Sequence, residues 1–391
     1  MSEERIRILE MIREGKITAE EGVRLLEALK GVAGETPPGA GPEPGQAGGG
    51  EEHRQWGRGP HGRWHEHAED PITAIVEAVT DTVSEVLSSR SWRGFGGVWR
   101  GSWSGGPLAG LQRRREREAA GWEFLSFSDG DHGTFDLPEG ARLTIESEAG
   151  GIEAMASDGP ARLDLVGDDM FSYATYVARR GDEYLVAAHR TAHHARMPRL
   201  RVAVPRHVAQ VQLHTAGGGL EARGFACPLL LKTAGGGITV REHGAGALEA
   251  RTAGGGIEVE GTPARIMLHT AGGGIRFHGQ TGALDLKTAG GSITIDGARL
   301  VSGEHRAETA GGSIRVRLTP DSTVALDAAT SAGHISVDLP GARGEYSGSR
   351  MSPRYHGTFN GGGASLRLRT VGGSIEVGLV ETASAATVTA A

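Results

Sequence analysis

Cysteine, lysine and long apolar runs are scarce in this 391-residue chain, and each scarcity excludes something. The single cysteine, Cys227, rules out an internal disulfide framework. Ahead of Pro228 it reads as a small buried residue of a repeat strand, not as a reactive thiol. No window approaches the roughly 18 apolar residues of a spanning helix. Met1-Ser2-Glu3-Glu4-Arg5 does not open a signal peptide either. The expectation is a cytoplasmic protein, with peripheral membrane association as its closest approach to a bilayer. Lysine occurs only at Lys16, Lys30, Lys232 and Lys287, which we read as codon bias. A net charge of −7 favours no nucleic acid partner.

Glycine, by contrast, is plentiful at 64 residues, and much of it recurs at a fixed period, the signature of a repeat architecture. Thr-Ala-Gly-Gly-(Gly/Ser)-(Ile/Leu) begins at Thr215, Thr233, Thr252, Thr270, Thr288 and Thr309. Looser copies stand at Ser331 and Thr370, and an early one at Glu148. Segments of period-two alternation flank each copy, such as Leu284-Asp285-Leu286-Lys287 before and Ile293-Thr294-Ile295-Asp296 after. That pattern means strand, tight turn, strand. A glycine triplet in every repeat would be prohibitive inside helices. The fold class is therefore mainly β: a parallel β-solenoid over about Phe135 to Leu379, with a small N-terminal α-helical hairpin and a largely disordered linker.

If each repeat is one rung, equivalent residues stack about 4.8 Å apart and the inward columns can be named. Before the corner they are Leu213, Leu231, Ala250, Leu268, Leu286, Ala307 and Leu368. After it come Ile238/Val240, Ile257/Val259, Ile275/Phe277, Ile293/Ile295, Ile314/Val316, Ile335/Val337 and Ile375/Val377. The corner glycines are expected to supply positive φ and to leave room for the neighbouring rung. The corner threonines are expected to hydrogen-bond locally or to the next rung. A phosphate cradle is disfavoured, since no Lys-Ser/Thr follows the glycines and no βαβ unit surrounds them.

The domain boundaries follow from composition. Residues 1–31 read as a helical hairpin: Ser2 as N-cap, Ile6, Leu9 and Ile12 on one face, then a restart at the capping box Thr18-Ala19-Glu20-Glu21. So short a unit cannot bury enough surface to stand alone and should self-associate or dock on a protein partner. Residues 32–120 form a Gly/Pro-rich linker with one amphipathic helix at about 71–89. Residues 121–380 are the solenoid and 381–391 a flexible tail.

Two surfaces emerge as candidate contacts. All six tryptophans lie at or before residue 122, and Trp92, Phe95, Trp99 and Trp103 follow the linker helix. Aromatics so placed suit a partner or a membrane interface, or they fold back to cap the first rung. The second surface is an outward column of His214, Lys232, Arg251, His269, Lys287, Glu308 and Arg369. Stacked like charges are unfavourable, so this column could face a polyanion such as teichoic acid or lipid headgroups. The plainer reading supplies countercharges from the adjacent column.

No motif of catalytic grade is present: no Gly-x-Ser-x-Gly, no His-Glu-x-x-His, no Walker loop. The clusters His61/His65/His67 and His189/His193/His194 have no cysteine partners and read as surface histidines. No cofactor and no metal is expected. A carbohydrate-active or carbohydrate-binding β-solenoid is the alternative class and would need paired carboxylates on adjacent rungs. Glu258 and Glu260, however, face Arg276 and His278 in the next repeat.

The stretch Glu4 to Leu29, with Glu14-Gly15-Lys16-Ile17-Thr18-Ala19-Glu20-Glu21, resembles the SHOCT-like hairpin of YvlB/LiaX-type bacterial proteins. Leu137-Pro138-Glu139-Gly140-Ala141, Val204-Pro205-Arg206-His207-Val208 and Leu366-Arg367-Leu368-Arg369-Thr370-Val371-Gly372-Gly373-Ser374-Ile375 are similar to the adhesin-type strand repeats that follow it there. The resemblance implies a non-enzymatic interaction protein linked to the envelope-stress response, and it transfers no functional residues.

Overall fold

The computed structural model describes residues 115–125, 132–167, 173–190, 198–350 and 352–380. Among these residues are 26 strands, β1–β26, in two sheets of 14 and 12 strands. The sheets face each other, and each rung contributes one strand to each. In the middle of the stack the rungs pair β9 (Gln210–Thr215) with β10 (Leu220–Arg223), β11 (Leu229–Thr233) with β12 (Ile238–His243), and β13 (Leu248–Thr252) with β14 (Ile257–Gly261). Then follow β15 (Arg265–Thr270) and β16 (Ile275–Gly279), β17 (Ala283–Thr288) and β18 (Ile293–Ala298), and β19 (Glu304–Thr309) and β20 (Ile314–Leu318). Neighbouring rungs are parallel and in register, so that Leu268 lies beside Ala250 and Leu286.

The named inward columns form the core. Leu213, Leu231, Ala250, Leu268, Leu286, Ala307 and Leu368 are fully buried, as is Phe277 across from them. Full burial of one such aliphatic side chain contributes about 1.5–3 kcal/mol, and a rung gains it only when neighbours cover both sides.

Stack order departs from chain order at both ends. At the first end β3 (Arg142–Ser147) and β4 (Ile152–Ser157) lie inside β7 (Glu183–Arg190) and β8 (Arg199–Pro205). At the other end β25 (Ala364–Thr370) and β26 (Ile375–Leu379) are inserted between β19/β20 and the earlier β21 (Val324–Thr330) and β22 (Ile335–Asp338). The outermost strands are antiparallel at three of the four sheet ends, while β22 closes the second sheet parallel to β26. β1 (Glu123–Leu125) and β6 (Tyr173–Arg180) extend the first sheet beyond β7, and β2 (His132–Phe135) and β5 (Ala161–Val166) extend the second beyond β8. β24 (Ser352–Phe359) and β23 (Arg343–Ser349) extend the first sheet beyond β21. Tyr355 and Phe359 of β24 turn inward and close the end of the core.

The corners between the sheets require one correction. None of their glycines has positive φ; those that do, such as Gly224, Gly261, Gly279, Gly297 and Gly303, lie outside the Thr-Ala-Gly-Gly corners. What the corners need is space. A Cβ on the middle glycine (Gly218, Gly236, Gly255, Gly273, Gly291, Gly312 or Gly373) would come under 3.0 Å from the backbone of the adjacent rung. At the preceding glycine the contact is milder, 3.5 Å at Gly235 and 3.3 Å at Gly254. Alanine already occupies that place at Ala149 and Ala332, and serine follows the middle glycine at Ser292, Ser313 and Ser374.

That close approach lets each threonine bridge two rungs. The hydroxyls of Thr215, Thr233, Thr252, Thr270, Thr288, Thr309, Thr370 and Thr330 donate to a glycine carbonyl of the adjacent corner at 2.7–2.8 Å. Each Oγ1 also accepts from the middle glycine's N–H of its own corner at 3.2–3.4 Å. Local and inter-rung bonds are therefore both made, by the same oxygen. The sequence Thr215, Thr233, Thr252, Thr270, Thr288, Thr309, Thr370, Thr330 is the order of the stack. The looser copy read from Ser331 is anchored at Thr330, one residue earlier.

Candidate interaction surfaces

Alternation places every second residue of the first sheet outward, but outward does not mean solvated. In the column beside the corner His214, Arg251 and His269 are buried, with His269 only 4% exposed. Lys232, Lys287, Glu308 and Arg369 are half-buried. Burial pushes the His214 imidazole down to about 4, with Glu146 opposing and Lys232 reinforcing the shift. These two are its cross-strand neighbours in β3 and β11.

The carboxylates that balance this column come mostly from the next outward column. Arg251 Nε lies 2.9 Å from Glu249, and its Nη2 donates to Met267 Sδ at 3.6 Å. Asp285 sits 3.7 Å from His269 Nε2 and 3.9 Å from Lys287 Nζ. Burial raises the Asp285 carboxyl, yet His269, Lys287 and Arg306 together outweigh it and hold the group below the usual carboxylate range. Glu308 faces Arg306 at 3.5 Å, and Arg369 bonds both the carboxylate and the backbone carbonyl of Asp327. The column is thus one half of a mixed-charge ladder.

At its first end the ladder runs into an aromatic patch that alternation alone did not reveal. Tyr176, Ala178, Leu185 and Ala187 of β6 and β7 cluster on the outer face, and Trp122 and Phe124 pack on them. Phe124 and Tyr176 are tilted with ring centroids 5.2 Å apart. Arg180 lies over Trp122 at 4.8 Å, and Arg117 over Tyr176 at 5.6 Å. Arg117 also pairs with Glu146 at 2.6 Å, so a base from the 113–118 charge run joins the patch to the ladder. The available signal was Trp122 beside that run, just ahead of the first strands.

The second sheet's outer face carries both signs. Arg201 pairs with Glu153 at 3.3 Å, Arg241 with Glu221 at 3.6 Å and Arg315 with Glu376 at 2.8 Å. Glu258 and Glu260 lie beside Arg276 and His278. Cys227 is half-buried just before β11, where burial pushes its thiol up. Among the described residues no three metal-ligating side chains converge, and no helix is long and apolar enough to cross a membrane. The hairpin, the helix at 71–89, Trp92, Phe95, Trp99, Trp103, His61, His65, His67, His193 and His194 lie outside the described residues.

Several solved structures share features of this chain. A "putative adhesin" from Bacteroides fragilis is 13% identical with a TM-score of 0.40, over 65% of this chain and 97% of its own. A "putative cell adhesion protein" from Clostridium sporogenes is 6% identical with a TM-score of 0.22, over 64% and 98%. No curated protein matches the chain. Residues 3–33 match the SHOCT-like domain family, and residues 199–378 match the Toastrack DUF4097 family. The chain therefore joins an N-terminal SHOCT-like domain to a Toastrack domain whose parallel rungs make up most of the described solenoid.

Proposed function

We propose that this protein is a non-enzymatic interaction scaffold of the envelope-stress or adhesin-like type, cytoplasmic and at most peripherally bound to a membrane. In this reading residues 1–31 self-associate or dock on a protein partner, 32–120 tether them, 121–380 present the solenoid, and 381–391 are a tail. The observation that carries it is the outer face of the first sheet. Its charged groups neutralise one another, along a strand in Arg251–Glu249 and Lys287–Asp285 and between neighbouring strands in Arg369–Asp327. A face so matched is suited to being presented as a surface rather than to activating a substrate. The order of domains, SHOCT-like then Toastrack, adds support.

Two contact regions follow: the segment Trp92, Phe95, Trp99 and Trp103, and the ladder containing His214, Lys232, Arg251, His269, Lys287 and Arg369. The test is sedimentation of the full chain at micromolar concentration beside a chain lacking residues 1–31. Loss of an oligomer in the shorter chain supports assembly, and an unchanged monomer in both sinks it. A Trp92/Trp99/Trp103→Ala variant should lose recovery from native membranes or on a protein partner. Equal recovery assigns those residues no contact role.

A further inference from the structure

β23 is the outermost strand of the 14-stranded sheet, and all seven of its residues are exposed. Other sheet edges are shorter: β1 has three residues, and β2 and β22 have four each. Long unpaired edges are usually blunted, because their N–H and C=O groups template pairing with another chain. β23 carries no proline, and Tyr346 stands 59% exposed at its centre, ring to ring with Tyr355 at 4.8 Å.

The register fixes which backbone groups are free. Gly348 lies opposite Pro353, which has no N–H, so that pair is a non-hydrogen-bonded one. Alternation then turns the N–H and C=O of Gly348, Tyr346 and Gly344 away from β24. The sequence around Tyr346 is symmetric in character: Arg343-Gly344-Glu345-Tyr346-Ser347-Gly348-Ser349. We propose that β23 pairs antiparallel with β23 of a second copy about a two-fold axis at Tyr346, joining two solenoids end to end through one continuous sheet.

In that register Tyr346 meets Tyr346, and Gly344 meets Gly348, as hydrogen-bonded pairs using the outward groups. Arg343 falls opposite Ser349 and Glu345 opposite Ser347, so no like charges face each other. Gly348, at φ +89, coils the strand beside its turn, so the pairing is anchored at Tyr346 on the axis. Both copies present the same patch, the isologous geometry of a closed dimer. This contact is separate from association through residues 1–31.

The test is oxidative cross-linking of the full chain in a Cys227→Ser background, which reads β23 whether or not the N-terminal hairpin associates. Glu345 and Ser347 form a non-hydrogen-bonded pair across the axis, where Cα atoms approach to about 4.5 Å, within disulfide reach. An equimolar mixture of Glu345→Cys and Ser347→Cys chains should give several-fold more disulfide dimer than either chain alone. Tyr346→Pro, which removes the outward N–H on the axis, should abolish the excess, while Tyr346→Ala, which loses the same ring contact with Tyr355 but keeps that N–H, should retain it. Equal cross-linking of mixed and single chains, or none in any of them, overturns the proposal. So does an excess that survives Tyr346→Pro.

Discussion

The six middle rungs, from β9/β10 to β19/β20, follow one another in chain order, whereas at each end the chain lays one rung outside another and closes with antiparallel strands. In the middle a single rule suffices: inward aliphatics, a corner threonine and a middle glycine. A rung obeying that rule has two identical faces and leaves a raw edge wherever the stack stops. The ends answer with strands that break the rule. β24 turns Tyr355 and Phe359 over the core, and β6 and β7 carry the patch that Trp122 covers. Repetition elongates the solenoid, and departures from it terminate the stack.

The largest effect should come from breaking an end from within. A chain ending after Phe359 loses β25/β26, so β19/β20 and β21/β22 each lose a sheet neighbour on one side. We expect it to be insoluble or to lose hydrogen-exchange protection throughout 304–359. A chain ending after Leu318 removes more residues but leaves consecutive rungs, and should keep protection in 229–298. If the Phe359 truncation keeps native protection in β21 and β22, the inserted rung does not hold the end together.

Next in size is a pair of adjacent glycines in one middle corner. Gly255→Ala forces a methyl into the Gly236 carbonyl and must push neighbouring rungs apart, whereas Gly254→Ala meets Gly235 at 3.3 Å. The first should cost about 4 kcal/mol or more and the second about 1 kcal/mol or less. Urea unfolding of the two variants measures the difference. Similar losses would show that the corner glycines act by backbone freedom after all.

These glycines also show what the sequence could and could not reveal. Period-two alternation identified the inward columns because one geometry repeats, and Leu231, Leu268 and Ile293 are buried as the pattern requires. The stack order was hidden, since Leu366-Arg367-Leu368-Arg369-Thr370 looks like any other rung. A rung's sequence encodes its shape, and its place is set by which open edge it meets. Alternation likewise marked His269 as outward but could not show that neighbours on both sides bury it, nor that Asp285 from the next rung serves both it and Lys287. The patch under Trp122 joins the β6–β7 hairpin to Trp122 and Phe124, which lie much earlier in the chain in a segment with no repeat.

A somewhat smaller effect should appear on acidification, at the join between the first end and the middle. His214 in the fold titrates near 4, below the 6.5 of an exposed imidazole. Between these values the unfolded chain binds a proton that the folded chain does not, so folding stability is complete above about pH 6.5 and falls towards pH 4. The loss is on the order of 3 kcal/mol for this residue alone. Burial also lowers His243 and His305, which bond the carbonyls of Gly246 and Ser302, and they add in the same direction. Denaturant midpoints from pH 7 to pH 4.5 should fall steeply for the natural chain and less for His214→Gln. An identical slope in both would place the titration elsewhere.

The subtlest test asks whether the middle behaves as one hydrogen-bonded column. Thr252→Val keeps shape and strand preference but removes the hydroxyl between Gly236 O and Gly255 N–H. Leaving those two groups unpaired should cost about 1–3 kcal/mol. Thr270 donates to the carbonyl of Gly255, the residue whose N–H reaches Thr252. The peptide units of that corner therefore link the two hydroxyls directly. Thr330, at the far end of the column, shares no partner with Thr252. The Thr252/Thr270 double variant should depart from additivity by about 0.5 kcal/mol or more, while the Thr252/Thr330 pair should add within experimental error. If both pairs are additive, each corner is an independent clasp, and the regularity of the middle rungs comes from packing alone.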